Sequence, residues 1–323
     1  MSRYTVFVPE PIAPAGMDLL GQHCDIIAPW QTGQPAGEIP LEADAALVRI
    51  YRVDAERMEA APNLRVVAKH GVGLDNIDIP SASARQIAVL WTPEANAEGV
   101  AQHAIALMLA LTNKIKDADA GVRTGRFDER MAWGSIEISE RTLGIIGLGR
   151  IGRRTAHKAA LGLGMNVLAY DPYVDRSAYD GPAVFVDELD ELLRQADVVT
   201  LHVPLTDETR HIIDGQSIAH MRPESYLINT ARGAAVDEKV LAQALSAGRL
   251  AGAAIDVFAQ EPPDPAHPLQ SAPNALLTPH VAGLSDRALV RVATEAAKGI
   301  LDVLQGRHPR SPVNPEIFPL QPR

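Results

Sequence analysis

Three ionisable residues, Arg232, Glu261 and His280, each follow an apolar, strand-like run in the C-terminal half of the sequence. Arg232 lies in INTARGAAVD, Glu261 in DVFAQEPP and His280 in TPHVAG. Ligands of open parallel sheets bind beyond the carboxyl ends of the strands, so these positions predict a shared cleft. The residue types suit reduction of a ketone carried by an anionic acid. An arginine's planar fork of donors can pair with a carboxylate and polarise the adjoining carbonyl. A histidinium can give a proton to the forming alkoxide, and a neutral histidine can take it back in oxidation. A carboxylate beside that histidine favours its charged form and fixes its ring. Each type also has an ordinary use. Most of the ten histidines in such a chain are structural, an arginine can cap a sheet edge, and loop carboxylates are commonly solvated. The three stand out through their joint placement downstream of a nucleotide-binding signature.

That signature begins where Leu143–Ile146 runs into Gly147-Leu148-Gly149-Arg150-Ile151-Gly152 and a helical stretch opens. Gly147 permits a tight turn, Gly149 lets the backbone approach a pyrophosphate, and Gly152 lets helix and strand pack closely. The helix start then offers free N–H groups and partial positive charge to the phosphates. A GxGxxG alone is weak evidence. Here a strand precedes it, a helix follows it, and Asp171 ends the next strand nineteen residues after Gly152, as the fingerprint requires. Asp171 can accept hydrogen bonds from both adenosine ribose hydroxyls and repel a 2′-phosphate, which favours NAD over NADP. Alternatively it only starts the Asp-Pro turn, and nearby Arg176 leaves some NADP use open.

The elements that must position these residues read as short apolar runs alternating with helical stretches, the pattern of a parallel α/β protein. Strands are expected at Tyr4–Val8, Asp25–Ala28, Ala45–Arg49, Leu64–Ala68 and Ile87–Leu90, with helices over 13–21, 54–61 and Ile79–Arg85. A long apolar-rich helix is expected from Asn96 to Arg123, buried where Ala104–Leu111 is apolar nearly all round. A second series follows: strands Leu143–Ile146, Asn166–Tyr170, Val198–His202, Tyr226–Asn229, Ala251–Asp256 and Ala275–Thr278, with helices over 151–162, 187–195 and 237–247. Leu284–Gln305 closes the chain as a helix, and the Pro-rich stretch 261–273 reads as a loop.

Composition narrows the class. A length of 323 residues suggests about two domains. A net charge of −10 without a basic stripe argues against nucleic acid, and it suits an anionic substrate only if the pocket carries its own arginine. No apolar stretch is long enough for a membrane span, and the N-terminus does not resemble a signal peptide. The single cysteine, Cys24, excludes an intramolecular disulfide and points to a reducing, cytoplasmic home.

The segments KHGVGLDNID (69–78), TLGIIGLGRIG (142–152), LHVPLTDETRHII (201–213), INTARGAAVDE (228–238), AAIDVFAQEPP (253–263) and LLTPHVAG (276–283) together resemble the D-isomer-specific 2-hydroxyacid dehydrogenase family. Phosphoglycerate and glyoxylate/hydroxypyruvate enzymes belong to that family. The resemblance implies two Rossmann-like or flavodoxin-like α/β domains with parallel sheets. The NAD-binding domain (101–286) is expected to be inserted into a discontinuous substrate domain (1–100 and 287–323). It implies hydride transfer at C2 of a small 2-hydroxy/2-keto acid with NAD, using Arg232, Glu261 and His280. It places the substrate carboxylate at Val72 and Gly73, and the nicotinamide carboxamide at Asp256. Arg150 and Ile151 fall at the pyrophosphate, while Val203, Pro204, Thr209, Ala231 and Gly283 fall in the cofactor cleft. The long helix from 96 and the residues to about 135 resemble the region through which family members dimerise, so a homodimer is expected.

Some positions depart from the family pattern. Gln102 stands where many members carry an acidic residue. The loop Arg49-Ile50-Tyr51-Arg52 lacks the small hydroxyl residues common in phosphoglycerate enzymes; Tyr51 and Arg52 either build a bulkier, more basic mouth or Arg52 faces water. No regulatory domain is expected beyond 323. The alternatives are a phosphoglycerate-type activity without that domain and a catalytically silent NAD(H)-sensing relative. Formate dehydrogenase, which pairs its histidine with glutamine, is disfavoured by Glu261.

Overall fold

The structure, a computed structural model, describes residues 3–319. The N-terminal stretch runs β1 (Tyr4–Phe7), α1 (Pro14–Gly21), β2 (Cys24–Ile27), β3 (Ala45–Val48), α2 (Ala55–Ala60), β4 (Val66–Lys69), α3 (Ile79–Ala84) and β5 (Ala88–Leu90). The middle of the chain runs α4 (Ala97–Thr112), α5 (Ile115–Arg123), β6 (Thr142–Ile146), α6 (Arg150–His157), β7 (Asn166–Tyr170), β8 (Val184–Phe185), α7 (Leu189–Gln195) and β9 (Val198–Leu201). It continues with α8 (Gly215–His220), β10 (Tyr226–Asn229), α9 (Glu238–Ser246), β11 (Gly252–Ile255) and β12 (Ala275–Leu277), and the chain closes with α10 (Asp286–Leu304).

These elements form two compact units, Met1–Asn96 with Gly283–Arg323, and Ala97–Ala282. The chain crosses between them at 96–97 and 282–283, slightly before the 100–101 and 286–287 boundaries expected from sequence. The shift follows the helices: α4 starts at Ala97, and the Ser285 side chain caps α10 by accepting the Ala288 N–H. Residues 1–2 and 320–323, at the ends of the expected substrate domain, lie outside the described residues.

Every strand pairing within the two sheets is parallel. The first unit holds five strands in the order β2-β1-β3-β4-β5, the flavodoxin-like order. Its strands alternate between two apolar layers. Val6, Leu47 and Ala68 face one layer with α1 and α10, whereas Phe7, Val48 and Val67 face the other. The second unit holds seven strands in the order β12-β11-β10-β9-β6-β7-β8, a dinucleotide-binding order with one added strand. Burial on both faces explains why these strands read as continuous Val/Ile/Leu/Ala runs.

The expected long helix from Asn96 to Arg123 is instead two helices. Lys114 adopts a left-handed φ of 50° between α4 and α5, which ends the first helix after Thr112. The all-round apolar reading of Ala104–Leu111 is also only half right. Ala104, Leu107, Met108 and Leu111 are buried, while Ile105 and Leu109 are partly exposed and Ala106 is exposed. Among the described residues, no helix is long and apolar enough to cross a membrane, and no cluster of His, Cys, Asp and Glu is placed to hold a metal.

Candidate active site

The sheet of the second unit reverses its strand order between β6 and β9, and the glycine turn leaves β6 at that point. Gly147 has φ +91°, and a Cβ there would lie 2.7 Å from the His202 carbonyl oxygen. A Cβ on Gly152 would lie 2.2 Å from the Gly147 carbonyl oxygen, so only glycine lets α6 sit this close to the turn. A Cβ on Gly149 would meet nothing within 4 Å, which leaves the open side of the turn to a ligand. Gly149 provides no side-chain cap for α6, whose first residues are Arg150 and Ile151. The uncapped N–H groups and the open approach fit a pyrophosphate.

Asp171 follows β7, as expected, and does more than the sequence suggested. Its Oδ2 accepts the Leu148 N–H at 2.7 Å and its Oδ1 the Tyr173 N–H at 2.9 Å. The carboxylate therefore braces the glycine turn, while each oxygen keeps acceptor capacity for a ribose hydroxyl. Arg176 is engaged elsewhere: it binds Asp187 at 2.6 Å and lies 5.1 Å over the Phe185 ring. Val203 packs against Gly147, and the Thr209 hydroxyl ties its own loop by donating to the Pro204 carbonyl at 2.6 Å. Gly283 belongs to the first unit, where it packs against Asn96.

Arg232, Glu261 and His280 lie in the loops after β10, β11 and β12, three adjacent parallel strands. Asn229 ends β10 and pins the turn that follows: its side chain accepts the Ala231 N–H at 3.0 Å and donates to the Arg232 carbonyl at 2.9 Å. Gly233 then meets the Glu261 loop backbone to backbone, since a Cβ on it would lie 1.9 Å from the Phe258 carbonyl carbon. Sequence reasoning missed both residues; a glycine directly after the arginine was the only signal available. The Glu261 carboxylate accepts the Phe258 N–H at 3.0 Å, and its other oxygen meets His280 Nδ1 at 2.7 Å.

Electrostatics match this geometry. The hydrogen bond to Glu261 raises the His280 pKa, against burial and the nearby Arg232 charge, which lower it. Burial pushes the Glu261 carboxyl up, but the His280 and Phe258 donors outweigh it and leave the pKa below the ordinary value. Both side chains keep a solvent face, His280 being 52 % and Glu261 37 % exposed, so their attraction is partly screened. His280 itself has a left-handed φ of 52°, uncommon for a residue with a Cβ.

Asp256 holds that conformation. It is fully buried at the end of the β11 run, and its Oδ1 accepts the Thr278 hydroxyl at 2.5 Å and the Val281 N–H at 3.0 Å. Its Oδ2 accepts the Ala282 N–H at 2.9 Å, and its backbone carbonyl accepts the His280 N–H at 2.7 Å. Burial pushes this carboxyl up, yet the donors around it outweigh burial and keep it ionised. The carboxylate thus shapes the turn that carries His280, while Oδ2, which accepts the Ala282 N–H, keeps acceptor capacity.

The substrate candidates Val72, Gly73, Tyr51 and Arg52 all lie in the first unit. Val72 and Gly73 follow β4, and neither N–H has a hydrogen-bond acceptor among the described residues. Residues 49–51 are clamped by Glu10, whose carboxylate accepts the N–H groups of Arg49, Ile50 and Tyr51 at 2.7 to 3.0 Å. Lys69 Nζ braces the same loop through the Arg49 carbonyl and Asn76. Tyr51 is also braced, donating to the Gly37 carbonyl at 2.9 Å beneath the Arg57 guanidinium. Arg52 faces water at 76 % exposure and pairs with Asp54 at 3.4 Å.

Residues 105–282 match the family model described as D-isomer specific 2-hydroxyacid dehydrogenase, NAD binding domain. A glyoxylate reductase from Thermofilum pendens is 39 % identical over 337 aligned positions, spanning all of this chain and 98 % of that protein. This chain belongs to the D-isomer-specific 2-hydroxyacid dehydrogenase family. It is therefore an NAD-dependent oxidoreductase acting on a CH–OH group. A D-3-phosphoglycerate dehydrogenase from Archaeoglobus fulgidus is 40 % identical over 319 positions, but the match spans 97 % of this chain and only 60 % of that one. Among solved structures, D-lactate dehydrogenase from Aquifex aeolicus, complexed with NAD and lactic acid, shares the fold. Its TM-score is 0.82 and its identity 30 %, over 94 % of this chain and 96 % of that one.

Proposed function

We propose that the chain reduces glyoxylate, hydroxypyruvate or a similarly small 2-keto acid with NADH, using His280 as general acid and Glu261 and Arg232 as its partners. The observation that carries this reading is the 2.7 Å contact between His280 Nδ1 and Glu261, formed where adjacent parallel strands end. The nearly full-length match to a glyoxylate reductase supports the substrate class.

Gly147, Gly149, Arg150, Ile151 and Gly152 would hold the pyrophosphate of NAD, and Asp171 the adenosine ribose. Val203, Pro204, Thr209 and Ala231 would line the remaining cofactor surface of the second unit, and Gly283 is the cofactor candidate of the first. The nicotinamide, when bound, supplies hydride to C2 in reduction and accepts it in oxidation. Arg232 pairs with the substrate carboxylate and polarises the carbonyl. His280, with Nδ1 directed to Glu261, presents Nε2 and delivers its proton to the C2 oxygen; in oxidation the neutral ring takes the proton back. Glu261 fixes the ring and stabilises the imidazolium while the substrate's charge changes. Within the first unit, the candidate substrate contacts are the N–H groups of Val72 and Gly73 for a carboxylate, and Tyr51 and Arg52 for a substituent. Asp171, together with the engagement of Arg176 by Asp187, favours NAD over NADP.

The enzyme works as a homodimer in the cytoplasm. An apolar surface for a second copy is supported by partly exposed Ile105 and Leu109 on α4, together with exposed Val122, Phe127 and Met131. The single buried thiol of Cys24 suits a reducing compartment. The reading is tested by following NADH oxidation with a panel of 2-keto acids, including phosphorylated and sulfonated ones. Turnover is expected to be fastest with glyoxylate or hydroxypyruvate. Tight NADH binding without turnover of any acid would contradict it.

A further inference from the structure

His103 is a residue that neither the motifs nor the proposed mechanism uses. It lies on α4, which packs against α6, β10 and β11 within the second unit. Its Nε2 is 3.3 Å from the Thr278 hydroxyl oxygen and 3.5 Å from Asp256 Oδ1. The Thr278 hydroxyl already donates to Asp256 at 2.5 Å. A protonated Nε2 is therefore the donor that completes this group, shared between the hydroxyl oxygen and the carboxylate.

The group has a specific task. Asp256 receives its donors from Thr278, Val281 and Ala282, which flank His280 in sequence. A left-handed conformation at a residue with a Cβ is unfavourable and persists only where the surroundings fix it. Asp256 supplies that fixing through one fully buried carboxylate. A buried charge is tolerated when its acceptor sites are filled by donors. Three of those donors belong to the turn itself, whereas His103 comes from a separate helix and ties the turn to the body of the unit.

We infer that His103 is a positioning residue for the reaction: it holds the Asp256–Thr278 pair that fixes the turn presenting His280. The inference rests on the assignment of His280 as the proton carrier. Removing His103 leaves the nucleotide turn at β6 untouched, so cofactor affinity stays while the proton donor loses its fixed placement. Glutamine carries an N–H at nearly the reach of the histidine Nε2 and restores the link; alanine and leucine do not.

The experiment compares wild type with His103→Ala, His103→Leu and His103→Gln, using glyoxylate and NADH. Each is scored for kcat, KM and NADH affinity by fluorescence titration, and for thermal midpoint. His103→Ala and His103→Leu are expected to lower kcat roughly 10- to 100-fold, the cost of ångström-scale misplacement of a reacting group. NADH affinity is expected to stay within about two-fold, and His103→Gln to recover most of kcat, because the lost interaction acts on the chemical step. Wild-type kcat in His103→Leu would overturn the inference. So would equal losses in the leucine and glutamine variants accompanied by weakened NADH binding, which would mark His103 as a packing residue only. If the alanine variant does not fold, the leucine–glutamine pair decides. His280→Ala, run in parallel, keeps the two claims separate. Retained activity there removes the proton carrier itself, whereas its loss alongside an active His103→Leu removes only the role of His103.

Discussion

Replacing Gly233 by alanine tests whether the active-site loops are fixed by backbone contact. The added Cβ would lie 1.9 Å from the Phe258 carbonyl carbon, 2.1 Å from the Ala259 nitrogen and 2.4 Å from the Phe258 oxygen. Ordinary contact begins at 3.4 Å, so the two segments must part by about 1.5 Å, and none of the three atoms is a flexible side-chain end that could swing aside. Phe258 also donates its N–H to Glu261, so the displaced segment carries the histidine's partner with it. Overpacking of this kind costs about 1–3 kcal/mol of stability. That is below the roughly 5–15 kcal/mol total of a typical domain, so the variant should fold. Catalysis should suffer more, since displacement by about an ångström can lower rate 100-fold. The assay is steady-state reduction of glyoxylate by NADH, with NADH affinity and thermal midpoint measured on the same preparation. A folded Gly233→Ala protein with wild-type kcat would show that this contact does not place Arg232 and Glu261.

Other perturbations have equally defined outcomes. His280→Ala should lower turnover about 100-fold or more, the usual loss on removing a general acid, while NADH titrations stay unchanged; near-wild-type turnover would remove His280 from the mechanism. Asp171→Ala removes charge-assisted bonds worth about 1.5–3 kcal/mol each to the ribose, so kcat/KM with NADH should fall about ten-fold or more relative to NADPH. An unchanged coenzyme ratio would refute the ribose assignment. Burial, helped by Arg49 and Lys69, pushes the His70 pKa down to about 4, so the folded protein keeps this ring neutral where the unfolded chain takes up a proton. Stability from this residue is therefore lost as pH falls below about 6.5, reaching about 2 kcal/mol at pH 5. Urea unfolding at pH 7 and pH 5 should show that loss, and His70→Gln should reduce the difference by the same amount.

The fold was legible in the sequence wherever strands are buried on both faces. Runs such as Leu143–Ile146 and Val198–Leu201 can be little else in an alternating α/β chain, and β6, β9 and β10 fall within a residue or so of their expected bounds. Elements without such a signal were missed. The two-residue strand β8 is too short to show a period, and α8 (Gly215–His220) has only Ile218 buried, so neither leaves an apolar stripe. The break at Lys114 was hidden because a single left-handed residue can interrupt a helix without glycine or proline. Within the site, residue types announced Arg232, Glu261 and His280, but what holds them is tertiary. Gly233, Asp256 and His103 act through contacts between loops after different strands or with α4, and no local pattern reports such contacts; Asn229 acts within its own turn, through bonds to Ala231 and Arg232. Asp171 illustrates both sides: its spacing from Gly152 marked a ribose acceptor, whereas its bond to the Leu148 N–H was visible only in the fold.

The most direct test of the central claim is the pH dependence of kcat/KM for glyoxylate reduction in wild type and Glu261→Gln. Reduction needs His280 protonated, so the rate should be high below the His280 pKa and fall as pH rises through it. Glu261 raises that pKa, mainly through their hydrogen bond. Replacing the carboxylate by the neutral amide should therefore move the fall to lower pH while the wild-type limb stays at higher pH. Superimposed profiles for the two proteins would contradict the account, because the ionisation controlling turnover would then not belong to the His280–Glu261 pair.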